Sequence, residues 1–419
     1  MPPTTEPTLG TSLQSSPARR KRVLCATTYL LADNAASWRV MNIASSLRDQ
    51  GYEVAVNQYV RRSPPADYDH PATWCSEIQS KVVVSARPVS LVAHLRCLAQ
   101  GNYDLVIGNN INGALCSLLG RARRPLVLDM HGDMVAELAM ERPARLGPRT
   151  ITHHARRFLY WTADHLTCTL SSRISCVSRT MMRVLSARGI SGERLVYAPN
   201  CVDLAFFHPR SDRHSSALRD GLGIRPDALL IGYAGRFQRW QGVECFIEAA
   251  RTVNNPGIAF LIVGGNETRR DGNLHFVRQV PVSDIPEYYR TCDALVLPRP
   301  RHPATEVAAP TKFAEYAATG KPILASNVGD AGDLVRKYGC GVVVEDNQPA
   351  TLVAGINRLS EASSVTLADM GRAARRLAEI EFDPRIAAGN LSRCIEELTG
   401  GDPSHLHGRS QRPSGAGSS

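Results

Sequence analysis

The residues with the clearest chemical possibilities lie in one short stretch, Pro310-Thr311-Lys312-Phe313-Ala314-Glu315-Tyr316-Ala317-Ala318-Thr319-Gly320-Lys321-Pro322. Proline suits the first turn of a helix because it has no amide proton to leave unpaired, and glycine after the last helical residue permits a left-handed stop. The stretch therefore predicts a short helix. The apolar run at 323–326 predicts a buried strand, so the helix packs on a sheet with its unpaired N-terminal amides facing a crevice. An anion or a polar sugar suits such a place. Glu315, one turn further on, is spaced to accept hydrogen bonds from two vicinal hydroxyls such as those of a ribose. Taken alone, the pattern fits equally well a helix end with a solvated glutamate, so the surrounding elements must decide.

With 419 residues, 43% of them apolar, the chain has material for two domains. Its net charge is +10, and the whole excess lies in the first half: residues 1–210 carry 25 Lys+Arg against 15 Asp+Glu, and residues 211–419 carry 24 of each. That asymmetry suits an anionic partner for the N-terminal half: a membrane surface, a phosphorylated acceptor or nucleic acid. Nucleic acid fits worst, because outside 149–161 the basic residues form no run interleaved with aromatics. Within that segment Arg149, His153, His154, Arg156 and Arg157 alternate with Ile151, Phe158, Leu159, Tyr160 and Trp161. This is the composition of a helix with one face in its own core, or of one lying on an anionic membrane. The 11 cysteines lack C-x-x-C pairs and sit mostly in apolar runs, as small core residues do in a reducing cytosol. No run approaches the roughly 20 apolar residues that a membrane span needs. The expected location is cytoplasmic, with membrane contact at most peripheral, at the inner face.

Residues 1–20 are expected to form an unstructured leader, being rich in Pro, Ser and Thr. From Val23 on, apolar runs at 23–28, 53–60, 105–108, 126–129 and 174–178 alternate with helical periods such as 36–50 and 179–188. Such alternation implies parallel strands covered on both faces. Prolines and charges between 207 and 227 break the pattern. A second series then follows, with strands at 229–235, 259–264, 274–280, 294–298, 322–327 and 341–345. The prediction is an α/β chain of two doubly wound domains, 21–207 and 208–382, facing a central cleft, with a helix at 383–398 and an unstructured tail at 399–419. Ligands of such sheets bind beyond the carboxyl ends of the strands, which places the loop 28–37 and the segment Met130-His131-Gly132-Asp133 near the chemistry.

Five motifs fall in order along this frame: Ile-Ser-Cys-Val-Ser-Arg at 174–179; Tyr197-Ala-Pro-Asn200-Cys-Val-Asp203 with Phe207 and Pro209; Gly232-Tyr-Ala-Gly-Arg236-Phe-Gln-Arg-Trp-Gln-Gly242; Asp293-Ala-Leu-Val-Leu-Pro298; and the stretch from Pro310. Together they resemble the retaining glycosyltransferases with two Rossmann-like domains, the GT-B architecture, and more narrowly glycosyltransferase family 4 (group 1), over about residues 23–398. The resemblance implies transfer of a sugar from a nucleotide donor, a UDP- or GDP-sugar, to a hydroxyl-type acceptor (glycan, lipid or small metabolite). Retention at the anomeric carbon, no cofactor and no metal are part of the same implication, as is the last helix packing back toward the N-terminal domain. It further implies that Arg236 grips the donor diphosphate, Glu315 holds the ribose, the backbone at Val280 and Pro281 meets the base, Pro310 and Thr311 open the donor-binding helix, and His131 lies beside the donor sugar. The chemistry agrees: a departing nucleoside diphosphate gathers negative charge, which fixed cations and helix-end amides stabilise where water is excluded.

Two positions depart from the family pattern. The lysine expected five residues after the motif arginine is Gln241, which removes a positive charge from the diphosphate site and leaves Lys312 and Arg239 as local candidates to replace it. The first carboxylate of the Glu-x7-Glu pattern falls on Val307, with Glu306 one position out of register. No acid and base pair of carboxylates results; in the family's proposed mechanism the leaving phosphate helps to deprotonate the acceptor. Adjacent His153 and His154 diverge on a helix and have no carboxylate three or four positions away, so no metal site is read there. Two other readings share the sequence: a nucleotide-sugar-binding scaffold with weak or no turnover, motivated by Gln241 and Val307, and a GT-B-like sugar-nucleotide epimerase, whose carboxylates cannot be placed.

Overall fold

The computed structural model describes residues 19–28, 35–60, 79–84, 101–121, 123–140, 148–210 and 213–401. The expected leader and tail fall outside these residues except for 19–20 and 399–401, and so do residues 29–34 of the loop placed near the chemistry.

The first sheet is built of β1 (Arg22–Thr27), β2 (Glu53–Val60), β3 (Gln79–Val84), β4 (Leu105–Asn109), β5 (Leu126–Met130), β6 (Arg173–Cys176) and β7 (Leu195–Tyr197), in the order β3-β2-β1-β4-β5-β6-β7. All neighbours are parallel. Helices cover both faces, so the central strands β4 and β5 are buried along their whole length, and their sequences are unbroken apolar runs up to a polar last or penultimate residue. Chain order reverses between β1 and β4, opening a crevice at their carboxyl ends. The edge strand β3 was not anticipated; it begins Gln-Ser-Lys, which carries no apolar signal.

The second sheet comprises β8 (Leu229–Ala234), β9 (Ile258–Gly265), β10 (Arg269–Asp271), β11 (Leu274–Arg278), β12 (Ala294–Leu297), β13 (Ile323–Ser326) and β14 (Gly341–Val344), ordered β10-β11-β9-β8-β12-β13-β14. Only the short β10 runs antiparallel, and the reversal lies between β8 and β12. Two long helices, Pro349–Ser360 and Ser364–Glu381, were not read from the sequence. The second starts where the Ser363 hydroxyl accepts from the Thr366 amide, and it buries Ala373, Ala374 and Leu377 in the same cluster as Phe313 and Tyr316.

Among the described residues, several contacts join the halves. Helix Pro384–Leu398 buries Ala387, Leu391 and Ile395 against Val40, Ile43 and Leu47 of helix Ala35–Asp49. Its Glu396 accepts a 2.6 Å bond from the Tyr52 hydroxyl and pairs with Lys21. Val307 inserts into the first half's apolar cluster with Met130, Cys176 and Met181. The Asp330 carboxylate caps helix Arg179–Ala187 across the seam, accepting from the amides of Arg179 and Thr180 at 2.6 and 2.9 Å.

Candidate active site

The stretch from Pro310 folds as helix Thr311–Ala318, with Pro310 extended just before it and no side chain capping it. Gly320 ends it at φ 71° and packs against Pro209. Phe313, Ala314, Tyr316 and Ala317 are buried, which turns Thr311 and Glu315, one helical turn apart, toward a cavity of about 710 Å³. This cavity lies between the halves. Pro281, Val282, Ser283, Thr311 and Glu315 line one wall, and Trp38, Arg39, Asn42 and the segment from Asn200 to Asp203 line the other. Glu315 Oε2 accepts from the Tyr289 hydroxyl at 2.8 Å, and the Tyr289 ring meets Tyr316 edge-on at 4.9 Å. Burial raises the Glu315 carboxyl above the usual range, opposed by that hydrogen bond and by Lys312. Val280 does not line the cavity: its side chain packs into the core beneath, and the next three residues form the wall. Pro310 does not line it either.

Arg236 lies elsewhere. It is exposed in the loop after β8 and lines a second opening of about 870 Å³ with Gly264, Gly265, Asn266 and Gln279. Lys312 connects the two regions, following Thr311 in the chain while its Nζ packs against Gly235, the residue before Arg236. It is buried, donates to the Tyr233 hydroxyl at 3.0 Å and lies 4.3 Å from the centre of the Tyr233 ring. That hydroxyl in turn donates to the Arg236 carbonyl at 3.1 Å. Burial lowers the Lys312 ammonium to about 7. Gln241 ends the turn Arg239–Gln241 with its Oε1 buried and unpartnered, and Arg239 is exposed in the same turn.

His131 follows β5, and its Nε2 donates to Asn109 Oδ1 at 3.1 Å. Asn109 Nδ2 donates to Asp129 at 3.0 Å, and Asp129 accepts from Arg39 Nη2 at 2.6 Å, Arg39 Nε at 3.0 Å and the Ser175 hydroxyl at 2.8 Å. Arg39 continues to the Ala198 carbonyl and to Asn200 Oδ1, and Asn200 donates to the Ala309 carbonyl at 2.6 Å, two residues before helix Thr311–Ala318. A single polar chain thus runs from His131 to the second half. Burial, aided by Arg39, pushes the imidazole down to about 4, so it is neutral at physiological pH. Burial opposes ionisation of Asp129, yet Arg39 holds it below its ordinary value. Arg39, Asn109 and Asp129 were not singled out from the sequence; the available signal was a polar side chain at the last position of β4 and at the penultimate position of β5. Asp133 is engaged locally, accepting from the Ala136 amide at 2.9 Å and from Arg188 at 2.7 Å.

The two family departures acquire physical places. Val307 is core, and the Ser178 hydroxyl donates to its carbonyl at 2.6 Å. Glu306 does not replace the missing carboxylate, because its Oε2 accepts from the Gly329 amide at 2.7 Å at the start of helix Gly329–Tyr338.

The profile described as Glycosyl transferases group 1 matches residues 215–377, and that of Glycosyltransferase Family 4 matches residues 36–206. A D-inositol 3-phosphate glycosyltransferase of Paenarthrobacter aurescens (strain TC1) is 30% identical over 294 residues, covering 66% of this chain and 68% of that protein. Among solved structures, sucrose-phosphate synthase from Thermosynechococcus elongatus matches with a TM-score of 0.70 at 17% identity, over 91% of this chain and 100% of that one. Anabaena HepE in complex with UDP-glucose gives 0.69 at 18% identity, over 90% and 99%. Those structural likenesses bear on the fold, and it is GT-B. With both halves matched in order, the chain belongs to the group 1 glycosyltransferases of family 4.

Proposed function

We propose that this protein transfers a sugar from a UDP- or GDP-sugar to a hydroxyl of a glycan, lipid or small metabolite, with retention at the anomeric carbon and without a metal ion. The observation that carries the reading is the cavity between the halves, with Thr311, Glu315 and the 281–283 segment on one wall and Arg39 and Asn200 on the other. Glu315, steadied by Tyr289, accepts from the ribose hydroxyls, and the backbone at 281–283 meets the base. The diphosphate runs past Lys312 toward Gly235 and Arg236. Neutral His131, oriented by Asn109, faces the donor sugar from the first half, and the leaving phosphate takes the acceptor proton. A structural neighbour crystallised with UDP-glucose supports a donor of this class.

The test is a thermal-shift series with UDP, GDP, ADP, CMP and their sugar conjugates, because a ligand that binds only the folded chain raises its melting temperature. Stabilisation by one diphosphate, followed by transfer that survives EDTA and yields a product of unchanged anomeric configuration, is expected. No shift in folded protein would remove the reading. Binding without turnover would leave a scaffold, and a new sugar nucleotide formed without acceptor would indicate an epimerase.

We also place the first half against an anionic membrane surface. None of the described helices is long and apolar enough to cross a membrane, but helix Pro148–Leu170 exposes Ile151, Phe158, Leu159 and Trp161 beside Arg156, in the half that carries the positive excess. Sedimentation with phosphatidylglycerol vesicles and not with phosphatidylcholine vesicles is expected; remaining in the supernatant with both would rule the contact out.

A further inference from the structure

Arg299 follows Pro298 immediately beyond β12, on the strand that adjoins β8 where the order of the second sheet reverses. It is 6% exposed, its Nε has no hydrogen-bond partner, and among the described residues no carboxylate lies within ion-pair distance of its guanidinium. Glu137 and Glu306 act on it only from further away, and Glu306 is already engaged by the Gly329 amide. Burial lowers the guanidinium to about 10. A buried charge without a partner is unfavourable, and a ligand of opposite charge relieves it.

The surroundings indicate which ligand. Gly242, at φ 70°, packs so closely on the Pro298 carbonyl that a Cβ there would collide with it, which sets the turn that Gln241 ends against the end of β12. Gln241 Oε1 is likewise buried and unpartnered. Lys312 is close enough to Arg299 to feel its charge, and its Nζ packs on Gly235. Gly264 in turn packs on the Gly235 carbonyl. Lys312 thus joins Gly235 to the neighbourhood of Arg299, and the turn that Gln241 ends packs on the residue before Arg299, all beyond the carboxyl ends of β8 and β12. The two buried cations act on each other's charge, and the glycines allow close backbone approach.

We propose that Arg299 is the second cation of the diphosphate site, entering from the end of β12 in place of the lysine that position 241 lacks. The assignment rests on the nucleotide-sugar reading above. A guanidinium offers two parallel donors to a phosphate, which the single charge of a lysine does not. Arg239, the other candidate raised by the sequence, is exposed in its turn and is not needed.

The experiment is calorimetric titration of UDP, GDP and the corresponding nucleosides into wild type, Arg299→Met, Gln241→Lys and the double variant. Arg299→Met should weaken the preferred diphosphate about tenfold or more, leave nucleoside binding unchanged, and leave the melting temperature of the ligand-free protein equal or higher. Gln241→Lys should change wild-type affinity by less than about twofold, yet restore at least about half of the lost binding, on a logarithmic scale, to Arg299→Met. Diphosphate affinity unchanged in folded Arg299→Met overturns the assignment. So does a gain of about tenfold from Gln241→Lys alone, an outcome readable even if Arg299→Met does not fold. Absence of any diphosphate binding by wild type removes the transferase reading and the assignment together, whereas wild-type binding with an indifferent Arg299→Met removes the assignment alone.

Discussion

The first half buries Arg39 at 4% exposure and surrounds it with the Asp129 carboxylate, the Ala198 carbonyl and Asn200; the second buries Arg299 at 6% and leaves its Nε bare. Side-chain type and burial are matched, so only the partners differ. A buried arginine whose donors are satisfied is part of the architecture, and removing it strands a charge. An unsatisfied one weakens the free protein, and its donors are available to an incoming anion. The contrast separates what shapes the cleft from what acts in it.

The largest effect that tests this contrast is Arg39→Met. It leaves Asp129 ionised and buried with only Asn109 and Ser175 as donors, and should reduce unfolding stability by about 3–5 kcal/mol in urea titration. A loss below about 1 kcal/mol would mean that the two arginines are not different in kind. Next comes Glu315→Ala, which should raise the donor dissociation constant by about one to two orders of magnitude while stability changes little, on the scale of a lost charge-assisted pair of hydrogen bonds. Unchanged donor affinity would detach the ribose from the first cavity.

A smaller effect belongs to Lys312, which faces Tyr233, Glu315 and Arg299. Burial holds its ammonium at about 7 in the free protein, and a bound diphosphate stabilises the protonated form. Binding must therefore take up a proton above pH 7, so affinity is complete below that value and falls as pH rises. On the order of tenfold weakening between pH 7 and 8.5 is expected, since a phosphate with a second pKa near 6 is already ionised. Titrations in buffers of different ionisation enthalpy measure the uptake directly. A pH-independent affinity, or one equally steep in Lys312→Met, would assign the proton elsewhere.

Both doubly wound sheets were legible because the signal that specifies them is local: apolar runs between helical periods, with Gly320 and Pro322 as punctuation. Helix Thr311–Ala318 was legible for the same reason, since Thr311 and Glu315 share a face by spacing alone. The polar chain from His131 to Ala309 was not, because each bond joins positions far apart in sequence; Arg39 and Asp129 are 90 residues apart. Arg299 was hidden differently. An arginine between two prolines reads as an exposed loop, yet Arg299 is buried, and Gly242 packs on the Pro298 carbonyl just before it. Val307 read as a missing carboxylate because the pattern records what a position usually holds and not which way it faces.

That last residue also governs how far the two halves can be treated as interchangeable parts. Because Val307 fills a space among Met130, Cys176 and Met181, the first half's core is completed by a side chain that the second half supplies. A chimera that pairs this N-terminal half with the donor half of a relative carrying glutamate at that position would push a carboxylate into the apolar space or force the segment out of it. Either outcome makes the compatibility of recombined halves depend on one small apolar residue.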